Sequence, residues 1–214
     1  MKHLLTIAIS VWSLTGCGLD PNYQSGPDEL DKYGVDIKGS VYGVEISEAR
    51  VVYPPDLQQL LVRANVPTIL FGVPEQGVST FRTFVAASTP QGEQNICATT
   101  TELALALWNG PGEFVIEGGR FFVPIAGTEV RFDSTNLDGV ITDDGDWDPL
   151  SVRARVDTRE LTGVFEQDAD PCGAAESACV PCEDGLRLCM EVDMDMTAWL
   201  LDIDFDPRPD CDTP

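Results

Sequence analysis

The stretch FVIEGGRFFVPIAGTEVRF, residues 114–132, decides the fold. It holds three short apolar runs, Phe114–Ile116, Arg120–Ile125 and Thr128–Phe132, rich in β-branched and aromatic side chains. Gly118-Gly119 and Ala126-Gly127 separate them. Strand-forming runs punctuated by glycine at such short intervals predict an antiparallel meander.

The same grammar extends in both directions. Upstream, Val35, Ile37, Gly39 and Val41 alternate with Asp36, Lys38 and Ser40, and Val44 and Ile46 continue around Glu45, predicting a half-buried strand or pair of strands. Pro54-Pro55-Asp56 opens a short helix with Leu57, Leu60, Leu61 and Ala64 on one face and Asn65 at its end. Thr68–Val73 and Thr80–Ala87 read as strands, and Leu103–Leu107 as a further alternating run closed by Asn109-Gly110-Pro111-Gly112. Downstream come Asn136–Thr142, the acidic turn Asp143-Asp144-Gly145-Asp146, and Leu150–Val156. In that last strand Val152, Ala154 and Val156 face inward, while Arg153 and Arg155 face outward and offset neighbouring acids. Two late alternating runs, one through Leu186, Leu188, Met190, Val192 and Met194 and one through Trp199, Leu201, Ile203 and Phe205, close the sheet. The fold expected is mainly β, an antiparallel β-sandwich or barrel with one short helix and a disulfide-stapled C-terminal part. One β-rich domain spans residues 33–214, with its cysteine-rich segment at 168–211.

The N-terminus reads differently. Lys2, an apolar run from Leu4 to Trp12 and small residues before Cys17 form a secretory signal. The apolar run is well short of the roughly 20 residues that span a bilayer. Leu14-Thr15-Gly16-Cys17 resembles a bacterial lipobox. That resemblance implies cleavage after Gly16 and a lipid on Cys17, leaving 198 of the 214 residues. It also implies the outer membrane, because Gly18 stands where an inner-membrane signal places Asp. Residues 17–32, with Pro21, Ser25, Gly26 and Pro27, read as a flexible tether.

Composition narrows the function. Thirty-six acidic and 13 basic residues give a net charge of −23, which disfavours nucleic acid and anionic lipid surfaces as partners. The sole histidine, His3, lies in the signal, so the exported chain cannot build a Ser-His-Asp or Cys-His centre. The expectation is therefore no enzyme.

Six cysteines remain beyond Cys17: Cys97, Cys172, Cys179, Cys182, Cys189 and Cys211. An even number in an oxidising compartment predicts three disulfides, whose pairing the sequence does not choose. A zinc site from the four clustered thiolates and a redox Cys179-Val180-Pro181-Cys182 pair are the weaker alternatives. Calcium is a second candidate metal, on Asp143, Asp144, Asp146 and Asp148, against the plainer reading of a polar hairpin turn. Asp193, Asp195, Asp202, Asp204 and Asp206 form a second acidic cluster that could bind calcium, against the plainer reading of alternation on a solvated strand face.

The segment from Leu103 to Leu188 resembles uncharacterised cysteine-containing lipoproteins of myxobacteria and related bacteria with acidic proteomes. Arg155-Val156-Asp157-Thr158-Arg159-Glu160-Leu161, Asp170-Pro171-Cys172, and Cys179-Val180-Pro181-Cys182-Glu183-Asp184-Gly185 with Cys189 carry the likeness, together with Tyr53-Pro54-Pro55. It implies a cell-envelope location and brings no catalytic or binding residue. The reading is thus a membrane-anchored envelope lipoprotein with a structural or partner-binding role, the partner an envelope protein or a lipid. The alternative is a carrier of a lipid or small hydrophobe, with Phe81, Phe84, Trp108, Phe121, Phe122 and Trp199 lining the interior of a barrel or curved sheet.

Overall fold

Ile116 and Phe121 are five residues apart, as are Phe132 and Leu137. Strict alternation would send the members of each pair to opposite faces, yet all four are buried in one core. The chain resolves this with a β-bulge inside each strand, which inserts one residue and restores the inward face. The structure, a computed structural model, describes residues 35–211 except 56, 65, 126, 162–171 and 173–178. The signal at 1–16, Cys17 with its tether, Asn65 and most of the loop at 168–178 lie outside the described residues.

The elements run β1 (Val41–Val44), a 3-10 turn (Ile46–Glu48), β2 (Arg50–Tyr53), α1 (Leu57–Arg63), β3 (Ile69–Gln76), β4 (Thr80–Ala87), β5 (Thr101–Glu102), β6 (Ala106–Trp108), β7 (Glu113–Ile125), β8 (Thr128–Ile141), β9 (Trp147–Asp157), a helical turn (Thr158–Leu161), β10 (Cys179–Val180) and β11 (Cys189–Leu201). Eight of them close an antiparallel barrel in the order β1-β3-β4-β6-β7-β8-β9-β11, with β11 paired back onto β1. The barrel, not the sandwich, is the fold. One edge of β11 follows β9 over nearly its whole length. Its other edge is completed in turn by β10, β2 and β1. Long strands carry the twist that closure needs, and the bulges supply local bend.

Several expected boundaries change for this reason. Phe114–Ile116 and Arg120–Ile125 are one strand, β7, and Gly118-Gly119 is its bulge, not a turn. Gly118 takes φ +71°, a left-handed conformation that suits glycine at a bulge. Thr128–Phe132 and Asn136–Thr142 are likewise one strand, β8, bulged at Ser134. Gly127, at φ +84°, lies at the expected turn between β7 and β8. The two late runs merge into β11, which ends at Leu201, so Ile203 and Phe205 leave the sheet. Residues 35–40 form a loop clasped to β3 by Gln76, which accepts from the Ile37 N–H and donates to the Val35 carbonyl. Leu105 and Leu107 are exposed while Ala106 and Trp108 are buried, because this stretch is apolar on both faces and only its pairing selects one.

The interior is filled by aromatic rings. Trp147, fully buried, lies 4.3 Å from Tyr42 and 4.8 Å from Phe114 between ring centroids, with Phe71 and Phe81 around it. Burial pushes the Tyr42 hydroxyl above its usual pKa. Towards the other end Phe121 stacks on Phe132 at 4.9 Å. That end is stoppered by Ile46 of the 3-10 turn, Leu57 and Leu61 of α1, and Leu161 of the helical turn, which meet Ile125, Val156 and Met190 from the staves.

After β11 the chain forms a strap. Leu201, Ile203 and Phe205 cover Val41, Leu70 and Ala86, an apolar patch on the outside of the barrel. Gln94 clamps the strap through both amide atoms. It donates to the Asp206 carbonyl at 2.8 Å and accepts from the Asp206 N–H at 2.7 Å. The Cys97–Cys211 disulfide holds its end.

Candidate functional site

Three disulfides form: Cys97–Cys211, Cys172–Cys179 and Cys182–Cys189. Cys179 and Cys182 belong to different bridges, so the C-x-x-C spacing holds no redox couple. Among the described residues, one group, Asp157, Cys182 and Cys189, brings three potential metal-ligand atoms within 4.8 Å of one another. Its two sulfurs are bonded to each other and are not available as thiolates. The bridges place the domain outside the reducing cytoplasm.

The acidic turn at Asp143–Asp146 is the hairpin between β8 and β9, closed by Gly145 N–H to the Thr142 carbonyl. Asp146 of the turn and Asp148 at the start of β9 dock onto β11. Asp146 accepts the Leu200 N–H at 2.8 Å, and Asp148 accepts the Thr197 hydroxyl at 3.2 Å. The four carboxylates Asp143, Asp144, Asp146 and Asp148 are not gathered into one ligand set. The second acidic series is dispersed too. Asp193 lies beside Arg153 across the β9–β11 pair, Asp195 pairs with Arg50, and Asp202, Asp204 and Asp206 line an open cavity beside the strap.

The barrel interior has little room. The void beneath α1 measures about 20 Å³, close to the volume for a single water. Of the six aromatics expected inside, Phe81, Trp108 and Phe121 belong to the packed core. Phe84 is buried but lies outside that core cluster, and Phe122 and Trp199 are only half-buried.

Besides the open cavity of about 640 Å³ beside the strap, a concavity lies on the wall of the barrel. A cavity of about 410 Å³ opens over β8, β9, β11 and the end of β2, lined by Tyr53, Ser134, Asn136, Arg153, Arg155, Glu191 and Asp193. A second of about 180 Å³ adjoins it towards the Cys182–Cys189 bridge and shares Ser134 and Arg155. Two bulges shape the first cavity: the one in β8, and a register shift at Asp193/Met194 where β2 meets β11. Ser134 adopts φ +50°, the one described non-glycine residue at positive φ. Such strain in a residue without glycine's freedom is characteristic of functional sites.

An arginine cluster runs along this wall. Arg120 and Arg131 share Asp133 at 2.5 and 2.8 Å. Arg153 donates to Asp138 at 2.9 Å. Arg159 grips Asp157 at 2.5 Å and Asp184 at 2.7 Å. The hydrogen bond from Arg159, despite partial burial, holds the Asp157 carboxyl below its ordinary pKa. Arg155 differs. Its closest carboxylate, Glu191, is 3.6 Å away, and its Nε–H is buried with no acceptor. Asn136 is fixed by the bulge glycine, accepting the Gly118 N–H at 3.0 Å.

The outward orientation of Arg153 and Arg155 is legible in the sequence, but the groove that they line is not. Its one sequence signal is the odd spacing from Phe132 to Leu137, which requires a bulge at Ser134–Thr135. No family model matches the chain, and neither a curated protein nor a solved structure is significantly similar to it.

Proposed function

We propose that this chain is an exported lipoprotein, tethered through Cys17 to the outer membrane, whose barrel is non-catalytic and works by binding a partner on its outer wall. The observation that carries this reading is the contrast in space. The void described inside the barrel, beneath α1, is about 20 Å³, whereas the outer wall offers about 410 Å³ between charged side chains. A carrier needs an interior cavity of roughly 300–1,000 Å³ for a ligand of ordinary size, so the filled core weighs against the alternative of a lipid carrier. The charged outer face and apolar interior also reverse the pattern of a membrane-spanning barrel, which is apolar outside. No helix among the described residues is long and apolar enough to cross a membrane, so attachment falls to the acyl chains on Cys17. More than one chain gives firm anchoring.

Metabolic labelling with a fatty-acid probe tests the anchor. The wild-type chain is expected to take up label and Cys17→Ser to take up none; equal labelling of both would refute it. Native mass spectrometry of the exported Cys17→Ser chain tests the filled interior. The expected mass is that of the oxidised chain with no adduct, whereas a co-purifying lipid-sized adduct would favour the carrier.

A further inference from the structure

From the outer-wall groove we infer a saccharide-binding site, in which a hexopyranose lies against Tyr53 and is held through its hydroxyls by Arg155, Asn136 and the carboxylates of Glu191 and Asp193. The inference rests on the reading that the outer wall is the working surface.

The groove's chemistry selects the ligand class. A sugar hydroxyl donates one hydrogen bond and accepts up to two, so it suits a wall where donors and acceptors alternate. Here they do. Cross-strand pairing sets Arg155 against Glu191 and Arg153 against Asp193, placing cationic donors and anionic acceptors side by side on one face. Asn136, pinned through its amide oxygen by Gly118, keeps amide hydrogens to donate, since its one recorded contact as donor is at the 3.5 Å limit. Tyr53, 37% exposed at the rim, offers an apolar ring face with a polar tip.

A free anion fits less well. Arg131, Arg153 and Arg159 are already held by carboxylates at 2.9 Å or less. Six carboxylates line the two joined cavities against four arginines, so the wall repels net negative charge. An apolar ligand fits no better, because it would leave these polar groups without partners. A polyhydroxylated neutral ring satisfies both signs.

Arg155 supplies the driving contact. Its contact with Glu191 is long, 3.6 Å from Nη2, so a terminal N–H of the guanidinium is the donor for a ligand oxygen. The 410 Å³ volume falls in the small-ligand range. The β8 bulge and the positive φ of Ser134 hold the groove open before a ligand arrives.

The test is an amide-resonance titration of the exported full-length Cys17→Ser chain with N-acetylglucosamine, galactose and mannose, and separately with glucuronate and inorganic phosphate. The expected result is saturable shifts from a neutral sugar, centred on Tyr53, Ser134 and Asn136. Arg155→Gln should weaken that binding by about tenfold or more, the loss of a charge-assisted hydrogen bond. Tyr53→Ala, at an exposed position, should weaken it independently, and unchanged far-UV dichroism reports that each variant is folded. Shifts with glucuronate or phosphate alone would overturn the neutral-sugar assignment in favour of an anion site. No shift with any probe, or binding unaffected in both folded variants, would overturn the saccharide inference while leaving the outer-wall reading standing. A lipid adduct in the native mass spectrum would instead bring down the outer-wall reading itself.

Discussion

Arg153 and Arg155 stand two residues apart on the same face of β9 but in different circumstances. Arg153 has Asp138 at 2.9 Å on one neighbouring strand and Asp193 opposite it on the other. Arg155 has a loose contact to Glu191 and a buried Nε–H with no acceptor. Their shared outward face follows from alternation, whereas their partners follow from register, which no local pattern specifies. Asp157, at the end of the same strand, shows what a satisfied partner does. Its carboxyl is buried and receives the Arg159 guanidinium, which lowers its pKa. A carboxyl with a depressed folded-state pKa adds stability above its ordinary value near 3.8, lost as pH falls through the folded value. Asp157→Asn should therefore be less stable than wild type at pH 7, by about 1 kcal/mol because Arg159 is partly solvated. The gap should close as pH drops below the ordinary carboxylate range. Urea midpoints of both proteins from pH 7 to pH 2 check this, and a gap that stays constant across the range would exclude Asp157 as its source.

At the level of elements, the sequence is most readable where one face is clearly apolar. Val152, Ala154 and Val156 of β9 and Met190, Val192 and Met194 of β11 are buried as their alternation requires. The helix after Pro54-Pro55 forms where expected, as Leu57–Arg63. The Gly118-Gly119 pair of β7 suits a bulge as well as a turn, and only pairing with β8 distinguishes them. Ile203 and Phe205 alternate with aspartates as a strand would, but they face the outer surface of β1, β3 and β4 and not the core. Gly72 of β3 leaves room for the strap: a Cβ there would come within 2.4 Å of the Phe205 ring. The role of α1 as a stopper yields a prediction at this scale. Leu61 is buried at the barrel end and lines its small void. Leu61→Ala should destabilise by about 2–5 kcal/mol, since a cavity opens where neighbours cannot collapse. Chemical denaturation measures this, and a loss well under 1 kcal/mol would mean that α1 is not part of the cooperative core.

For the whole molecule, closure of β11 onto β1 is the defining event, joining strands about 160 residues apart and leaving no open edge on the eight-strand path. The three disulfides differ in how they support it. Cys97–Cys211 spans 114 residues and ties the strap over the outer patch, while the other two each span seven. In the chain-entropy model a loop of the longer kind contributes about 5 kcal/mol and the short ones about 2.5 kcal/mol. Cys97→Ala/Cys211→Ala should accordingly cost more stability than Cys182→Ala/Cys189→Ala. Urea unfolding of the two double variants decides the order, and a reversed order would show that the strap's bridge acts on a denatured chain already compact.

The sequence by itself determined a mainly β chain with one short helix, and six cysteines beyond Cys17, an even number suited to disulfides. Those properties are carried by composition, alternation and cysteine number, which are local or additive. Only the tertiary structure decided for a barrel over a sandwich, chose the disulfide partners, merged short runs into bulged staves, and assembled a groove from β2, β8, β9 and β11. Each of these depends on which distant strands pair and in what register. That choice is made by burial of the whole apolar set at once, not by any segment alone.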